Sequence, residues 1–276
     1  MNFYNYFDKI INILLECFNL LSNIYFFGNL KLKKKLKKNK KLKRNNDKCF
    51  IICNGPSLND IDIFKIKNAD IITVNFFYKK EEFFQNFESN FHIAIDTEFF
   101  RKEKYIEYLN EILEKKKKIN LIIKSSELEK FENHKDRVFG VYSKLIQYGK
   151  KLNFDLTKNM TATINVSIMA LQLALYLGYK EIYLLGIDFS DYREKNMSKH
   201  FYGNETYDKD ELLKGDELRW FSLAYKHHYA IQKWALKNGV KIFNAAPEEK
   251  SFLDAYPFIE YEDIVQFFEE RRKIWK

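Results

Sequence analysis

Glycine, proline and cysteine are scarce in this 276-residue sequence, which contains 9 Gly, 3 Pro and 3 Cys. So few turn-forming residues argue against a loop-rich all-β fold. The cysteines Cys17, Cys49 and Cys53 are odd in number and show no metal-ligand spacing. Cys49 and Cys53 bracket a short apolar run, and an extended chain holds them too far apart for a disulfide. This cysteine usage predicts a reducing compartment.

Several motifs of common enzyme classes are also missing. The sequence contains no G-x-G-x-x-G, which argues against the usual dinucleotide fold, and no G-x-x-x-x-G-K-[ST], which excludes P-loop chemistry. It contains no G-x-S-x-G elbow of the hydrolase type. An Asp-x-Asp pair, Asp60 and Asp62, is interpreted as the start of a helix or turn rather than as a metal site.

The positive charge is concentrated in one segment. Residues 31–44 hold ten Lys or Arg and no acid, so the formal net charge of +9 leaves −1 for the remainder. The basic character is therefore a local feature.

This basic segment follows an amphipathic helix predicted over residues 1–27. Asp8, Lys9 and Glu16 interrupt its apolar run, so it lacks the roughly 18–20 apolar residues that span a bilayer. Its apolar face is predicted from three- and four-residue spacing and comprises Phe3, Phe7, Ile10, Ile11, Leu14, Phe18, Leu21 and Tyr25.

A helix of this kind followed by lysines is typical of an interfacial membrane anchor. We expect residues 1–47 to form a separate amphipathic and polybasic unit, with residues 1–44 on the inner membrane surface of a cytoplasmic, peripheral protein. Packing of the helix on its own domain or on a second subunit of a homo-oligomer stays open. Nucleic acid is disfavoured as a partner because the lysines lack interleaved aromatic residues and the rest of the chain is not basic.

From residue 48 onward, strand-like and helix-like patterns alternate. Short apolar runs predict strands at 49–53, 71–74, 91–95, 120–123, 181–185 and 241–243. Helical spacing predicts helices at 102–117, 163–177, 216–238 and 260–275. The alternation predicts an α/β, Rossmann-like domain over 48–276, with a mostly parallel sheet and helices on both faces. The polar segment 189–215 is long enough to form a lid.

Polar residues follow several predicted strands at the point where each ends. The first strand is followed by Asn54, Gly55, Pro56 and Ser57, the second by Asn75, the third by Asp96, and the fifth by Gly186 and Asp188. The carboxyl ends of neighbouring parallel strands meet at one edge, where open α/β sheets bind ligands. The sequence therefore predicts a nucleotide pocket built from these residues.

Three segments carry a resemblance to known families. The segments Ile52–Leu58, Val74–Tyr78 (which includes Phe76) and Tyr179–Phe189 resemble motifs of bacterial lipooligosaccharide sialyltransferases, glycosyltransferase family 42. They also resemble the broader family of 6-hydroxymethylpterin diphosphokinase MptE-like proteins, many of which belong to surface-glycan systems.

The resemblance implies a metal-independent glycosyltransferase of bacterial surface-glycan synthesis. It would use a CMP-activated nonulosonic acid such as sialic acid as donor substrate, with no cofactor, and a glycan or glycolipid as acceptor. By position, Asn54, Asn75 and Asp96 would contact the nucleotide sugar, and a Thr/Ser motif would fall on Thr161 and Thr163.

The lid departs from the sialyltransferase pattern, because Asn204 occupies the position of the catalytic histidine. We take His200 as the candidate base instead, since an imidazole with a pKa near 6.5 can accept a proton from a hydroxyl at neutral pH. The alternative interpretation is that His200 is a structural residue of the lid. Tyr202 or Tyr192 would donate a hydrogen bond to the leaving phosphate. His227 and His228 are interpreted as a packing or surface pair.

Two other functions remain open at this stage. A pterin diphosphokinase would need Mg²⁺, for which Asp96 and Asp188 are the candidate ligands. A non-catalytic accessory protein of a glycan system would have kept the nucleotide pocket and lost the base, which the Asn204 substitution favours.

Overall fold

The computed structural model of the protein describes residues 3–144, 152–190, 200–203 and 214–266. The helices are α1 (Phe3–Gly28), α2 (Leu30–Lys37), α3 (Glu81–Asn86), α4 (Glu103–Lys115), α5 (Val166–Leu177) and α6 (Lys214–Lys237). The strands are β1 (Lys48–Ile52), β2 (Asp70–Val74), β3 (Phe91–Ala94), β4 (Asn120–Lys124), β5 (Val138–Val141), β6 (Glu181–Leu185) and β7 (Lys241–Asn244). Residues 261–266 are also helical.

The strands of this described part form one parallel sheet in the order β5-β4-β3-β2-β1-β6-β7. From β1 the chain builds outward through β2 to β5, and it then crosses through α5 to β6 on the other side of β1. The strand order therefore reverses at β1. In open α/β sheets, ligands bind in the crevice outside the carboxyl ends of the strands at such a point.

Alternate residues of the central strand enter two separate cores. Cys49 and Ile51 pack in a core that includes α5 and α6, whereas Phe50 and Ile52 pack in a core that includes α3 and α4. All four side chains are fully buried, as expected for a parallel strand covered on both faces. The predicted Rossmann-like α/β fold is confirmed.

The structure adds elements that the sequence patterns did not predict. Strand β5 was missed because its four residues include Gly140 and follow a long polar segment. Helices α2 and α3 were also missed, and all of α2 except its first residue lies inside the basic run 31–44. The predicted lid falls mostly outside the described residues, as do the last ten residues of the chain, 267–276, which include most of the predicted C-terminal helix.

Helix α1 packs a face of mixed polarity on the domain. Asn19, Ser22 and Phe26 are buried, and the amide of Asn159 donates to the Ser22 hydroxyl at 3.1 Å and to Asn23 at 2.8 Å. The members of the predicted apolar face whose side chains are described are all exposed: Ile10, Leu14, Phe18, Leu21 and Tyr25. The apolar stripe of α1 thus faces away from the protein.

Helix α2 and the residues after it are held against the domain. Leu32 and Leu36 are buried, and the Asn39 amide donates to the carbonyl oxygens of Gly140 at 2.8 Å and Leu156 at 2.7 Å. These contacts cover β5, the edge strand of the sheet, which would otherwise present an open edge. Among the described residues, no helix is both long and apolar enough to cross a membrane.

Candidate functional site

The loops after β1 and β6 are locked together. The Gly55 amide donates to the Gly186 carbonyl at 2.8 Å, and the buried Asp188 carboxylate accepts from the Ser57 amide at 2.7 Å and from the Ser57 hydroxyl. A Cβ atom on Gly55 would lie 2.5 Å from Asp188 Cγ. The glycine is required by this close approach, since its φ of −62° suits any residue.

Beside these loops, a cavity of about 250 Å³ opens at the carboxyl ends of β1, β2 and β6, and we call it the switch-point cavity. Its lining includes six residues predicted from the sequence: Asn54, Gly55, Asn75, Gly186, Asp188 and His200. The other lining residues are Cys53, Val74, Asn165, Val166, Ser167, Ile187, Phe189 and Phe221. The structure thus brings the first, second and fifth predicted strand ends together.

Two amide oxygens in this cavity have no internal partner. The Oδ1 atoms of Asn54 and Asn75 are buried and accept no hydrogen bond from the described residues. Such an orphaned acceptor costs about 1–3 kcal/mol unless a ligand or water satisfies it. Each of these two lining asparagines therefore keeps an unused acceptor, which suits a hydrogen-bond donor such as a nucleobase amine or a ribose hydroxyl.

The backbone around the cavity is strained. Among the described non-glycine residues, positive φ occurs at Asn68, Asn75 and Phe189, and the last two line this cavity. A bulky residue such as Phe189, at φ +53°, occupies an unfavourable conformation. Strain of this kind clusters at ligand sites.

Helix α5 begins at the cavity wall. The Asn165 side chain caps it by accepting from the Ile168 amide at 2.9 Å, and the Ser167 hydroxyl donates to the same Asn165 oxygen at 2.8 Å. The N-terminus of a 12-residue helix carries a partial positive charge and unpaired amides that favour an anion.

A buried histidine supports this helix start from behind. The Nε2 of His228 lies 3.2 Å from the Ser167 hydroxyl and its Nδ1 lies 3.0 Å from the Tyr256 hydroxyl. Burial lowers the pKa of His228 to about 3, so the ring is neutral. His228 is thus part of the packing behind the cavity, and His227 is also buried.

A short piece of the predicted lid is fixed beside Asn54. The Phe201 amide donates to the Asn54 carbonyl at 3.0 Å, and the Phe201 ring packs on Phe77 and Phe83. The anchored backbone places His200 in the cavity wall, with its ring stacked on Tyr202 at 5.0 Å.

Tyr202 itself lies behind His200 rather than in the cavity lining. Its ring meets Phe76 edge-on at 6.1 Å. Burial raises the pKa of Tyr202 above its ordinary value, so its hydroxyl keeps its proton.

The remaining predicted site residues are placed elsewhere. Asp96 lies at the end of β3 and caps a short turn by accepting from the Glu98 amide at 3.2 Å. Thr161 is fully buried and its hydroxyl accepts from the Asn153 amide at 2.7 Å.

Three predicted residues adjoin the switch-point cavity without lining it: Pro56, Ser57 and Phe76. Thr163 lines a different cavity. Tyr192 lies outside the described residues.

Asn165, Ser167 and Phe189 are lining residues that the sequence reasoning missed. Asn165 carried a usable signal, because an Asn just before a long apolar run is a preferred helix N-cap. The strain at Phe189 has no counterpart in the sequence, since it depends on the locked loop after β6.

The acidic residues considered as metal ligands have partners within the protein. Asp60 pairs with Lys250 at 2.7 Å, and Asp62 accepts from the Phe64 amide at 3.1 Å. In the part of the chain that the structure describes, no three His, Cys, Asp or Glu side chains group as metal ligands would.

The family of the chain follows from its sequence match. Residues 18–194 match the model of the family described as 6-hydroxymethylpterin diphosphokinase MptE-like. The chain belongs to the MptE-like family. The match covers β1 to β6, and thus nearly all of the switch-point cavity. No curated protein matches the chain.

This MptE-like chain is also similar to solved sialyltransferase structures. One is CstII from Campylobacter jejuni with the substrate analogue cytidine-5'-monophosphate, at 20% identity over 77% of this chain and 84% of that chain, with a TM-score of 0.49. Another is the monofunctional α-2,3-sialyltransferase Cst-I from Campylobacter jejuni, at 16% identity over 84% and 96%, with a TM-score of 0.48.

Proposed function

We propose that this MptE-like protein is a metal-independent glycosyltransferase that takes a CMP-activated nonulosonic acid, such as sialic acid, as donor and serves bacterial surface-glycan synthesis. The observation that carries the proposal is the pair of orphaned Asn54 and Asn75 oxygens, on two side chains of a cavity lining that also contains the N-terminus of α5. Amide acceptors suit a cytosine amine or ribose hydroxyls, and the helix end suits a phosphate.

The proposed reaction breaks the bond between the sugar carbon and the phosphate oxygen, and CMP leaves. The acceptor hydroxyl then bonds to that carbon and passes its proton to His200. Departure of the phosphate creates an oxocarbenium-like sugar, so fixed donors at the phosphate supply most of the catalysis. The α5 amides would be those donors, with Tyr192 as a further candidate. Tyr202, which lies outside the cavity lining, would instead support the His200 ring on which it stacks.

The main alternative is a diphosphokinase, which the description of the family favours. That reaction would need Mg²⁺ held by Asp96 and Asp188. The Asp188 carboxylate is occupied by the two Ser57 donors, and Asp96 does not line the cavity that contains Asp188. The donor set therefore fits a magnesium site poorly, and the transferase is preferred.

The two reactions are separated by a nucleotide panel with thermal unfolding as readout. CMP, CMP-sialic acid, UDP, GDP and ATP are each tested with EDTA and with Mg²⁺. A rise in Tm with CMP that persists in EDTA is expected, since no metal takes part. Stabilisation by Mg-ATP alone would favour the diphosphokinase over the transferase, and no shift with any nucleotide would contradict both enzymes.

The role of His200 is tested by turnover. His200→Ala should abolish transfer from CMP-sialic acid and leave CMP binding unchanged, because the ring acts on the acceptor. His134→Ala is the matched control, since it removes a histidine outside the cavity lining. Full turnover by the His200 variant would exclude this residue as the base.

We further propose that α1 binds the inner membrane surface and brings the enzyme to a lipid-linked acceptor. The apolar side chains that α1 exposes include Ile13, Leu20 and Phe27, each between 59% and 68% exposed. Because the other side of α1, which includes Ser22 and Phe26, packs on the domain, the exposed stripe can enter the acyl boundary while the helix stays docked. The lysines of the adjoining basic run would meet anionic headgroups.

A further inference from the structure

A second cavity, of about 470 Å³, opens at the same sheet edge beyond β3. Its walls come from the ends of β3, β4 and β5, from the loop after β5, and from the junction of α1 and α2. Four lysines line it, Lys31, Lys35, Lys124 and Lys144, and we call it the lysine cavity. No acidic residue of the described chain belongs to its lining.

The lysines are only partly neutralised. Glu129 pairs with both Lys31, at 3.6 Å, and Lys35, at 3.1 Å. Lys124 donates to the Thr97 hydroxyl at 2.6 Å and also interacts with Glu127.

Glu127 already forms an ion pair with Lys130 at 2.9 Å. Within the described residues, Lys144 forms no ion pair with a carboxylate. The four lining lysines and Lys130 thus share two carboxylates, those of Glu127 and Glu129. The excess positive charge favours an anionic occupant of the cavity.

The lining also contains groups suited to a sugar ring. Tyr25 and Tyr142 form a tilted aromatic pair with centroids 6.0 Å apart, which gives the wall an amphipathic surface with a polar tip. The hydroxyls of Ser143 and Thr163 lie 3.1 Å apart in the same lining. Hydroxyl groups beside an aromatic wall can bind both the polar edge and the apolar face of a saccharide.

The lysine cavity adjoins the switch-point cavity. Thr163 lines the first and Asn165 lines the second, and two residues of extended chain span at most about 7 Å. Ile95, which follows β3, lines the lysine cavity, and Asn75, which follows the neighbouring β2, lines the switch-point cavity. A ligand in one cavity would therefore lie next to a ligand in the other.

We infer that the lysine cavity binds the acceptor, and that the acceptor is a saccharide carrying a phosphate or carboxylate group. The lysines hold the anionic group, and the tyrosine pair and hydroxyls hold the sugar. The role of the lysine cavity as the acceptor site rests on the proposed transferase function. The ability of this cavity to bind an anionic sugar does not depend on that function.

The test is a calorimetric titration of the full chain with and without saturating CMP. The probes are N-acetylglucosamine 1-phosphate for the phosphate, glucuronic acid for the carboxylate, and neutral N-acetylglucosamine. At least one charged sugar should bind more tightly than the neutral one. The double variant Lys124→Gln/Lys144→Gln should weaken that binding at least about tenfold, because a charge-assisted contact is lost at each position.

The matched control is Lys117→Gln/Lys118→Gln. It removes the same charge from exposed lysines at the opposite, amino-terminal edge of the sheet, and should bind as the wild type does. Equal weakening in both double variants, or no preference for a charged sugar, would overturn the inference.

The failures of the two proposals are distinguishable. If CMP binds and no charged sugar does, the lysine cavity is not the acceptor site and the transferase proposal stands. If a charged sugar binds through Lys124 and Lys144 and CMP does not bind, the site stands and its acceptor role falls.

Discussion

The two cavities at the carboxyl edge of the sheet differ in how they can bind a ligand. The lining of the switch-point cavity includes asparagine amides and two glycines, and no Lys or Arg of the described chain belongs to it. The lysine cavity has four ammonium groups on long side chains. The first suits recognition by fixed hydrogen bonds and a helix dipole, whereas the second suits recognition by charge. A single sheet edge thus offers a site without cationic side chains beside a site with four of them.

The substitution with the largest expected effect on the switch-point cavity is Gly55→Ala. The added methyl would lie 2.5 Å from Asp188 Cγ and 2.7 Å from the Gly186 carbonyl, so the loops after β1 and β6 must separate. We expect a loss of about 3 kcal/mol in the free energy of unfolding, from overpacking and broken hydrogen bonds, together with loss of CMP binding. Chemical denaturation and calorimetry measure the two effects.

Gly215→Ala is the matched control for this substitution. A methyl group there meets nothing within 4 Å, and the position is helical. Its stability should stay the same or rise by up to about 1 kcal/mol. If Gly55→Ala were as stable as this control, the locked loop would not exist as described.

Acid should lower the free energy of unfolding of the protein between about pH 6.5 and about pH 3, because of two buried histidines. Burial lowers the pKa of His228 and of His92 to about 3, below the value near 6.5 of the unfolded chain. The unfolded state therefore binds the extra protons between these values. Stability is fully present above pH 6.5 and falls as the pH drops toward 3, by at most about 1.4 kcal/mol per pH unit for each histidine.

This pH dependence is checked by denaturant unfolding at a series of pH values. His228→Gln should flatten the slope below pH 6.5, since the proton-binding difference at that residue disappears. His134→Gln, at a partly exposed position outside both cavity linings, is the control. An unchanged slope in the His228 variant would mean that the ring is not buried.

The placement of α1 predicts that the lysine cavity, rather than the switch-point cavity, lies nearer the membrane. The end of α1 contributes Tyr25 to the lysine cavity. Leu21→Gln/Ile24→Gln should lower binding to vesicles with anionic lipid about tenfold, because two side chains that are each 60% exposed would no longer enter the acyl region. Sedimentation of vesicles with and without anionic lipid measures the change.

The control for vesicle binding is Leu236→Gln, which removes an equally exposed apolar side chain, at 68%, from α6. It should bind vesicles as the wild type does. Equal loss in both variants would show that α1 is not the membrane contact, and a shift to a smaller oligomer in the α1 variant would assign the stripe to a subunit interface.

Much of the fold was predictable because parallel strands are buried on both faces and appear as short apolar runs. Strand β1 and strand β6 differ from their predicted ranges by one residue at most. Strand β5, with Gly140 among its four residues, carries too little apolar signal. The basic run could not be recognised as a docked helix, because the burial of Leu32 and Leu36 depends on the distant β5 surface.

The candidate site was predictable only in part, for a topological reason. Polar residues after strands could be found in sequence, and Asn54 and Asn75 line one cavity because β1 and β2 are neighbours. Asp96 follows β3, two strands or roughly 10 Å from β1, and the sequence does not give the strand order. The contributions of Asn165 and Ser167 depend on the packing of α5 across the sheet.

The central claim is that Asn75 and its neighbours form a nucleotide site. Its most direct test is a calorimetric titration of CMP, in EDTA, into the wild type, Asn75→Gly and Asn68→Gly. Both asparagines have positive φ, +48° and +53°, so glycine suits each backbone, and only Asn75 lines the cavity. CMP should bind the wild type and Asn68→Gly equally and Asn75→Gly at least about tenfold more weakly. Absence of binding to the wild type, or equal binding to all three, would contradict the account.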